Sequence, residues 1–175
     1  MDSVLSILLP VVIAFHFWIN STISSRAEDR TLSQQYTDAL VSYKGTPYAA
    51  VGESGGISCS MLIRFAYLDT DALQSSKKIV KDTACLSDEI RSGCHDQLSP
   101  IATADNLYAL DYSEIRPGDV ATLGGSTAIH TVAYLGDGVW IHSDPLTGKV
   151  NTFNKTDDGT WFVYPVTVLR WKALQ

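Results

Sequence analysis

The sequence predicts an α+β domain in which helices come first and an antiparallel sheet follows. Two stretches before residue 70 carry apolar residues at helical spacing, whereas apolar residues recur at every second position after Pro117-Gly118. Helices followed by a run of strands are typical of an α+β fold rather than of a parallel sheet. Hydrophobic residues make up 45% of the chain and charged residues 18%, which is the composition of a globular protein.

The N-terminal segment, residues 1–27, is predicted to be a targeting segment. Its apolar stretch, residues 4–19, is shorter than the ~20 residues that span a bilayer and fits the core of a signal peptide. Small residues at 25 and 27 suit cleavage after residue 27. An uncleaved membrane anchor is the alternative, since Asp2 precedes the apolar stretch and no early Lys or Arg does. Either prediction leaves one exported domain, residues 28–175, periplasmic, in the cell envelope or secreted.

Two helices are predicted in the first part of this domain. The first covers about Ser33 to Tyr43, where apolar and aromatic residues are spaced by four, four and three positions. Glycines and a proline between residues 45 and 56 then predict a loop. The second helix is predicted to begin at Ser58 or Cys59, and its interior contains neither Gly nor Pro.

The stretch Asp71–Pro100 is polar and irregular, with one short helix predicted at Ser87–Arg91. It contains Cys85 and Cys94, which enclose eight residues and which an exported protein can join in a disulfide. Cys59 is then the unpaired cysteine, as a free reactive thiol would be. The alternative is that all three cysteines are free and that two of them are buried as small hydrophobic residues.

Five strands are predicted in the second part of the domain, separated by turns rich in Gly, Asp and Asn. They cover residues 119–123, 129–135, 139–143, 149–153 and 167–171. Consecutive strands joined by such short turns predict an antiparallel meander.

The turn Gly136-Asp137-Gly138 makes a geometric prediction about two histidines. A three-residue loop pairs Leu135 with Val139, which places His130 and His142 on one face of the sheet as diagonal neighbours. A two-residue loop would shift the register by one residue and move His142 to the opposite face. If the two histidines act together, the loop must therefore contain an odd number of residues.

Cys59 is the candidate nucleophile. Unpaired backbone N–H groups and the positive end of the helix dipole favour the thiolate, and the amide of Cys59 can donate to an oxyanion. His130 is the candidate base and His142 the group that orients it, with Asp144 as an alternative partner of His142. Taken singly, a buried cysteine or a mid-strand histidine is more often structural.

Several other functions have no support in the sequence. A net charge of −6 without a basic stripe argues against nucleic-acid binding. One cysteine and two histidines are able to bind zinc, but no closely spaced Cys or His pair typical of a zinc site is present. No glycine-rich nucleotide signature occurs. We therefore expect neither a metal nor a cofactor.

Five segments resemble the NlpC-type family of cell-wall peptidases. They are residues 43–48, 55–60, 116–119, 129–136 and 141–142, within a similarity that covers about residues 36–150. The resemblance implies a papain-like fold and cleavage of amide bonds in peptidoglycan stem peptides. It implies the roles of nucleophile for Cys59, base for His130 and orienting residue for His142, and places Tyr48 beside the nucleophile.

Tyr48, Ser58 and the amide of Cys59 are accordingly expected to contact the substrate or its oxyanion. Ser58 and Met61 stand where the family has Asp and Gly, and residues 70–107 are an insert relative to its usual core. These differences motivate two alternatives: a catalytically silent wall-binding domain, and an amidase or acyltransfer enzyme that uses the same thiol. We expect a monomer whose partner is peptidoglycan, with membrane attachment only through an uncleaved leader.

Overall fold

The computed structural model describes residues 30–51, 53–70, 85–157 and 159–175. The predicted targeting segment, residues 1–27, lies outside the described residues. The described residues from Leu32 onward form one compact unit, and it has the predicted α+β architecture. None of the helices in the described part of the chain has the length and apolar character needed to cross a membrane.

The three described α-helices precede all six strands along the chain. The α-helices are Leu32–Ser42 (α1), Cys59–Asp69 (α2) and Ser87–Arg91 (α3). The strands are Leu98–Ala104 (β1), Val120–Leu123 (β2), His130–Gly136 (β3), Val139–Asp144 (β4), Lys149–Asn154 (β5) and Val166–Trp171 (β6). Short 3₁₀ helices cover Leu107–Ala109, Thr160–Val163 and Lys172–Leu174.

The two predicted N-terminal helices form close to their expected bounds. Tyr36 and Leu40, one turn apart on α1, are fully buried. Helix α2 begins at Cys59 because Ser58 is its N-cap: the Ser58 side chain accepts a hydrogen bond from the Met61 amide. Helix α1 packs against α2, and α2 packs against β3 and β4. This stacking holds the first turn of α2 near one end of the sheet.

The sheet has six antiparallel strands in the order β1-β6-β2-β3-β4-β5. The prediction of five strands missed β1, at the edge of the sheet. Strand β1 pairs only with β6, and its register shifts between Pro100 and Ala102. A proline and a bulge remove the regular alternation that identifies a strand, and both are tolerated at an edge.

The two faces of the sheet carry separate hydrophobic cores. On β3, Ala133 packs with the helices, whereas Val132 and Tyr134 pack against the opposite core with Phe162. Since successive side chains in a strand point to opposite faces, Thr131 lies on the helix side of β3 and His130 on the other side.

The β3–β4 hairpin corrects the predicted turn but retains the predicted histidine pairing. Gly136, not Leu135, lies opposite Val139, so a two-residue loop, Asp137-Gly138, closes the hairpin. The register then shifts between Tyr134 and Gly136, and Ala133 lies opposite Ile141. A bulge at Leu135 thus restores the register that places His130 and His142 on one face, which a two-residue loop alone would have lost. The prediction of a loop with an odd number of residues was therefore wrong.

Candidate active site

Cys59 is half-buried at the first position of α2, after a tight crossing of two chain segments. A Cβ atom added to Gly56 would lie 2.3 Å from the Pro47 carbonyl oxygen, so this crossing requires glycine. Tyr48 forms a bridge with Ile57 there, which places it near the thiol. Partial burial and then the neighbouring Cys59 raise the pKa of Tyr48.

An open cleft of about 310 Å³ lies in front of Cys59. The residues predicted to contact substrate line it: Tyr48, Ser58 and Cys59. The opposite wall is formed by residues 86–89, which open α3, and by Ala128. The insert therefore contributes directly to the cleft, although the sequence offered no mechanism for it.

Ser87 is the described residue that contacts the thiol. Its Oγ lies 3.8 Å from the Cys59 Sγ and accepts a hydrogen bond of 2.8 Å from the Thr131 hydroxyl. The Ser87 hydrogen is then free to point at the sulfur. Ser87 was not predicted, because a serine in a polar segment carries no local signal of its long-range contacts.

The segment that presents Ser87 is firmly anchored. Cys85 and Cys94 are joined in a disulfide and are buried, as is Ile90 between them. The Arg91 guanidinium donates hydrogen bonds to the carbonyl oxygens of Gly124 and Gly125. These contacts attach α3 to the turn that follows β2.

The two candidate histidines are brought together on one face of the sheet. His130 Nε2 lies 2.8 Å from His142 Nδ1, and both residues are almost fully buried. Burial, together with the neighbouring His142, lowers the pKa of His130 to about 3, and burial lowers that of His142 to about 4. Both imidazoles are therefore neutral near pH 7.

An indole covers this pair. The Trp161 ring stacks on the His130 ring with centroids 3.8 Å apart, and its Nε1 donates to Asp144 Oδ1. Asp144, the alternative partner considered for His142, also accepts from the amides of Leu146 and Thr147. It acts on His142 through its charge, which favours the protonated imidazole. Trp161 was not predicted, since its role depends on a 3₁₀ helix distant in sequence.

The thiol and the imidazole pair lie on different sides of β3 at its first residues. Among the described residues, Cys59 is joined to Ser87 and His130 to His142, and no hydrogen bond joins the sulfur to either ring. Because His130 Nε2 is bonded to His142, the His130 nitrogen that is available to another partner is Nδ1. Catalytic hydrogen bonds are often long without substrate and tighten when it binds.

The described part of the chain contains no group of three or more His, Cys, Asp or Glu side chains arranged to hold a metal ion. The polar residues that line the cleft carry a thiol, hydroxyls and two carboxylates: Cys59, then Tyr48, Ser58, Ser60 and Ser87, then Asp88 and Glu89. This set suits nucleophilic attack by sulfur on a carbonyl carbon.

No family model matches the sequence, and no curated protein matches it significantly. Solved structures do match. NlpC1 from Trichomonas vaginalis superposes with a TM-score of 0.53 and 20% identity, over 80% of this chain and 43% of that protein. The peptidoglycan hydrolase RipB from Mycobacterium tuberculosis gives 0.52 and 19%, over 78% and 63%.

An N-acetylmuramoyl-L-alanine amidase from Bacteroides uniformis gives a TM-score of 0.58 at 12% identity, over 81% of this chain and 99% of that one. For comparison, this chain spans less than half the length of NlpC1 from Trichomonas vaginalis. At these identities the similarity concerns the fold. The chain has the papain-like α+β fold of the NlpC/P60 cell-wall peptidases.

Proposed function

We propose that the chain is an exported cysteine hydrolase that cleaves peptide amide bonds in peptidoglycan stem peptides. The observation that carries the proposal is the half-buried Cys59 thiol at the start of α2, facing an open cleft. The buried His130–His142 pair at the adjoining end of the sheet supplies a candidate base with an orienting partner. The fold shared with RipB, a peptidoglycan hydrolase, supports the substrate class.

The reaction follows the chemistry of thiol hydrolases. The structure does not join Cys59 Sγ to His130, so the first step requires substrate binding to bring the thiol and His130 Nδ1 together, after which Nδ1 takes the proton from Cys59. The sulfur then attacks the carbonyl carbon of the scissile amide. The backbone amide of Cys59, with Ser58 and Tyr48 around it, faces the developing oxyanion. The amine leaves with the proton from His130, and a thioester remains on Cys59. Water, deprotonated by His130, then attacks the thioester and releases the acid.

Burial keeps His130 unprotonated in the resting site, although it also makes the ring a weaker base than a free imidazole. The imidazole is neutral near pH 7, and a neutral ring is required to accept the thiol proton. His142 fixes the ring through Nε2 and leaves Nδ1 facing away from the pair. Trp161 shields that bond from water on one side.

An extracytoplasmic location is part of the proposal. The disulfide between Cys85 and Cys94 supports it, because disulfides persist in oxidising compartments. The predicted leader, residues 1–27, would direct the export, and an uncleaved leader would attach the domain to a membrane. We propose that the domain acts as a monomer on the cell wall.

Replacing Cys59 with alanine tests the mechanism. We expect Cys59→Ala to abolish release of peptides from purified peptidoglycan, measured by mass spectrometry of the soluble fraction, and to leave the circular dichroism spectrum unchanged. Ser92→Ala is a matched control, since Ser92 is exposed at the other end of α3 and its hydroxyl donates to the Asp88 carbonyl oxygen. Undiminished release by Cys59→Ala would dispose of the mechanism.

A catalytically silent wall-binding domain is the second candidate, favoured by the lack of a described hydrogen bond between Sγ and either imidazole. The rate at which iodoacetamide alkylates Cys59 near neutral pH distinguishes this silent domain from an active hydrolase. An activated Cys59 reacts much faster than a free thiol in solution, whereas a silent one does not.

An amidase is the third candidate, favoured by the fold that the chain shares with the Bacteroides uniformis amidase. The masses of the fragments distinguish it from a peptidase. Cleavage of the glycan–peptide link releases whole stem peptides, whereas an endopeptidase divides them.

A further inference from the structure

Asn151 presents a buried acceptor beside the histidine pair. It lies directly opposite His142 in the β4–β5 register, so both side chains share one face. The Asn151 Oδ1 atom is buried and accepts no well-formed hydrogen bond. The amide Nδ2 donates to the Thr147 hydroxyl at 3.0 Å, which turns Oδ1 the other way. A buried polar atom without a partner is costly and calls for an explanation.

The protons on the two imidazoles explain it. Both rings are neutral near pH 7, so each carries one N–H. One of these hydrogens lies in the bond between His130 Nε2 and His142 Nδ1. Two arrangements are available, and they differ in which ring donates.

In the first arrangement His130 Nε2 donates. His130 Nδ1 is then bare and able to accept a proton, and His142 carries its hydrogen on Nε2. This N–H has Asn151 Oδ1 as a nearby acceptor. An interaction with the Asn151 side chain raises the pKa of His142 against the larger lowering by burial, as expected when the amide oxygen faces a ring N–H.

In the second arrangement His142 Nδ1 donates. His130 then holds its hydrogen on Nδ1 and cannot act as a base. His142 Nε2 is then bare, and Asn151 lies directly across the β4–β5 register from it, so Nε2 has no hydrogen to offer the buried Oδ1. A buried acceptor left unsatisfied is costly, so this arrangement is disfavoured.

We propose that Asn151 is a positioning residue that selects the tautomers of both histidines and thereby keeps His130 Nδ1 unprotonated. Its Oδ1 accepts from His142 Nε2, and His142 Nδ1 accepts from His130 Nε2. The tautomer assignment rests on the positions of Asn151 and the two rings and on the neutrality of both rings, whereas its consequence for catalysis rests on the proposed function.

Nitrogen NMR of histidine-labelled protein at pH 7 tests the tautomers directly. In the wild type we expect His130 to show a bare Nδ1 and a protonated Nε2. Asn151→Leu removes the acceptor at similar size and should produce a second population with protonated Nδ1. Asn151→Asp retains an acceptor at this position and should preserve the wild-type pattern. Thr152→Val is the control, because Thr152 is adjacent but points to the opposite face.

The kinetic readout is the rate of peptide release. We expect Asn151→Leu to lower kcat at least about tenfold with KM unchanged, since a wrong tautomer costs a comparable serine-protease triad about 10⁴-fold in kcat. Thr152→Val should leave both parameters unchanged. A wild-type His130 that carries its hydrogen on Nδ1, or an unchanged nitrogen pattern in Asn151→Leu, overturns the proposal. An inactive wild type with the expected nitrogen pattern would instead refute the proposed function and leave the tautomer assignment standing.

Discussion

His130 and His142 form a neutral pair because their surroundings disfavour charge. Both rings are buried, and Trp161 and Phe153 contact them. The Asp144 charge acts in the opposite direction, but burial dominates the pKa of each ring. The same burial that keeps His130 able to accept a proton also makes its protonation costly to the fold.

Acid should therefore destabilise the protein through these two residues. The unfolded chain takes up protons below the ordinary histidine pKa of 6.5, whereas the folded pair resists them down to about 4 for His142 and about 3 for His130. The stability due to the neutral pair is present above pH 6.5 and is lost as the pH falls toward 3. We expect the free energy of unfolding by urea to fall on the order of a few kcal/mol between pH 7 and pH 4.5.

The double variant His130→Asn, His142→Asn is the control for this measurement. Asparagine does not titrate, so the variant should lose clearly less stability over the same pH range, with only the carboxylates contributing. Parallel pH dependences of the wild type and the variant would contradict the assignment of lowered pKa values.

At the residue scale, the sequence allowed prediction of side chains whose signal is local. Cys59 follows a glycine-rich loop at a helix start, and His130 and His142 lie on strands joined by a recognisable turn. Ser87, Trp161 and Asn151 carry no such signal. Each reaches the site through a contact distant in sequence or across strands, which only the folded chain reveals.

At the scale of elements, the β3–β4 hairpin shows why a correct pairing can follow from a wrong turn. Asp137 and Gly138 both have positive φ, as a type I′ turn requires. The bulge at Leu135 compensates for the loop length and returns both histidines to one face. A bulge inserts one residue without changing the composition of the strand, so the periodicity that predicted β3 did not reveal it.

An ion pair joins Arg170 of β6 to Asp119, the residue that precedes β2, and its energy is testable. The Arg170 Nε and Nη2 atoms each lie 2.7 Å from a carboxylate oxygen of Asp119, and the Asp119 side chain is 1% exposed. Arg170→Met leaves that carboxylate buried without its cation. We expect a loss of about 3–5 kcal/mol in the free energy of unfolding, measured by urea denaturation.

Lys172→Met is the matched control. Lys172 pairs with Asp96, and both side chains are well exposed, so the loss should be at most about 1 kcal/mol. Equal losses for the two variants would show that burial of Asp119 is not what makes the first pair important.

At the scale of the whole molecule, residues 86–89 of the insert form one wall of the cleft in the α+β unit. The disulfide between Cys85 and Cys94, with a sequence separation of 9, anchors that wall and places Ser87 at the thiol. The overall fold was predictable because its helices and central strands have clear periodicity. The contribution of the insert was not, because a polar segment gives no periodicity from which to infer its contacts.

Removing the disulfide tests this arrangement. In the double variant Cys85→Ser, Cys94→Ser we expect the free energy of unfolding to fall by about 2–3 kcal/mol, the loop-closure value for so short a loop. Cys59 is then the only cysteine left, so its alkylation rate with iodoacetamide reports on the position of Ser87 without interference. Wild-type stability and an unchanged alkylation rate would show that the wall does not depend on the disulfide.

In the proposed mechanism, the Cys59 sulfur forms a thioester with the substrate. The most direct measurement is the intact mass of the protein after rapid acid quenching with excess stem peptide, followed by mapping of the modified fragment. We expect an added mass equal to the acyl part of the cleaved peptide, located on Cys59 and absent from Cys59→Ala. The mechanism would be contradicted if the wild type cleaved the peptide without any adduct on Cys59. It would also be contradicted if Cys59→Ala retained cleavage.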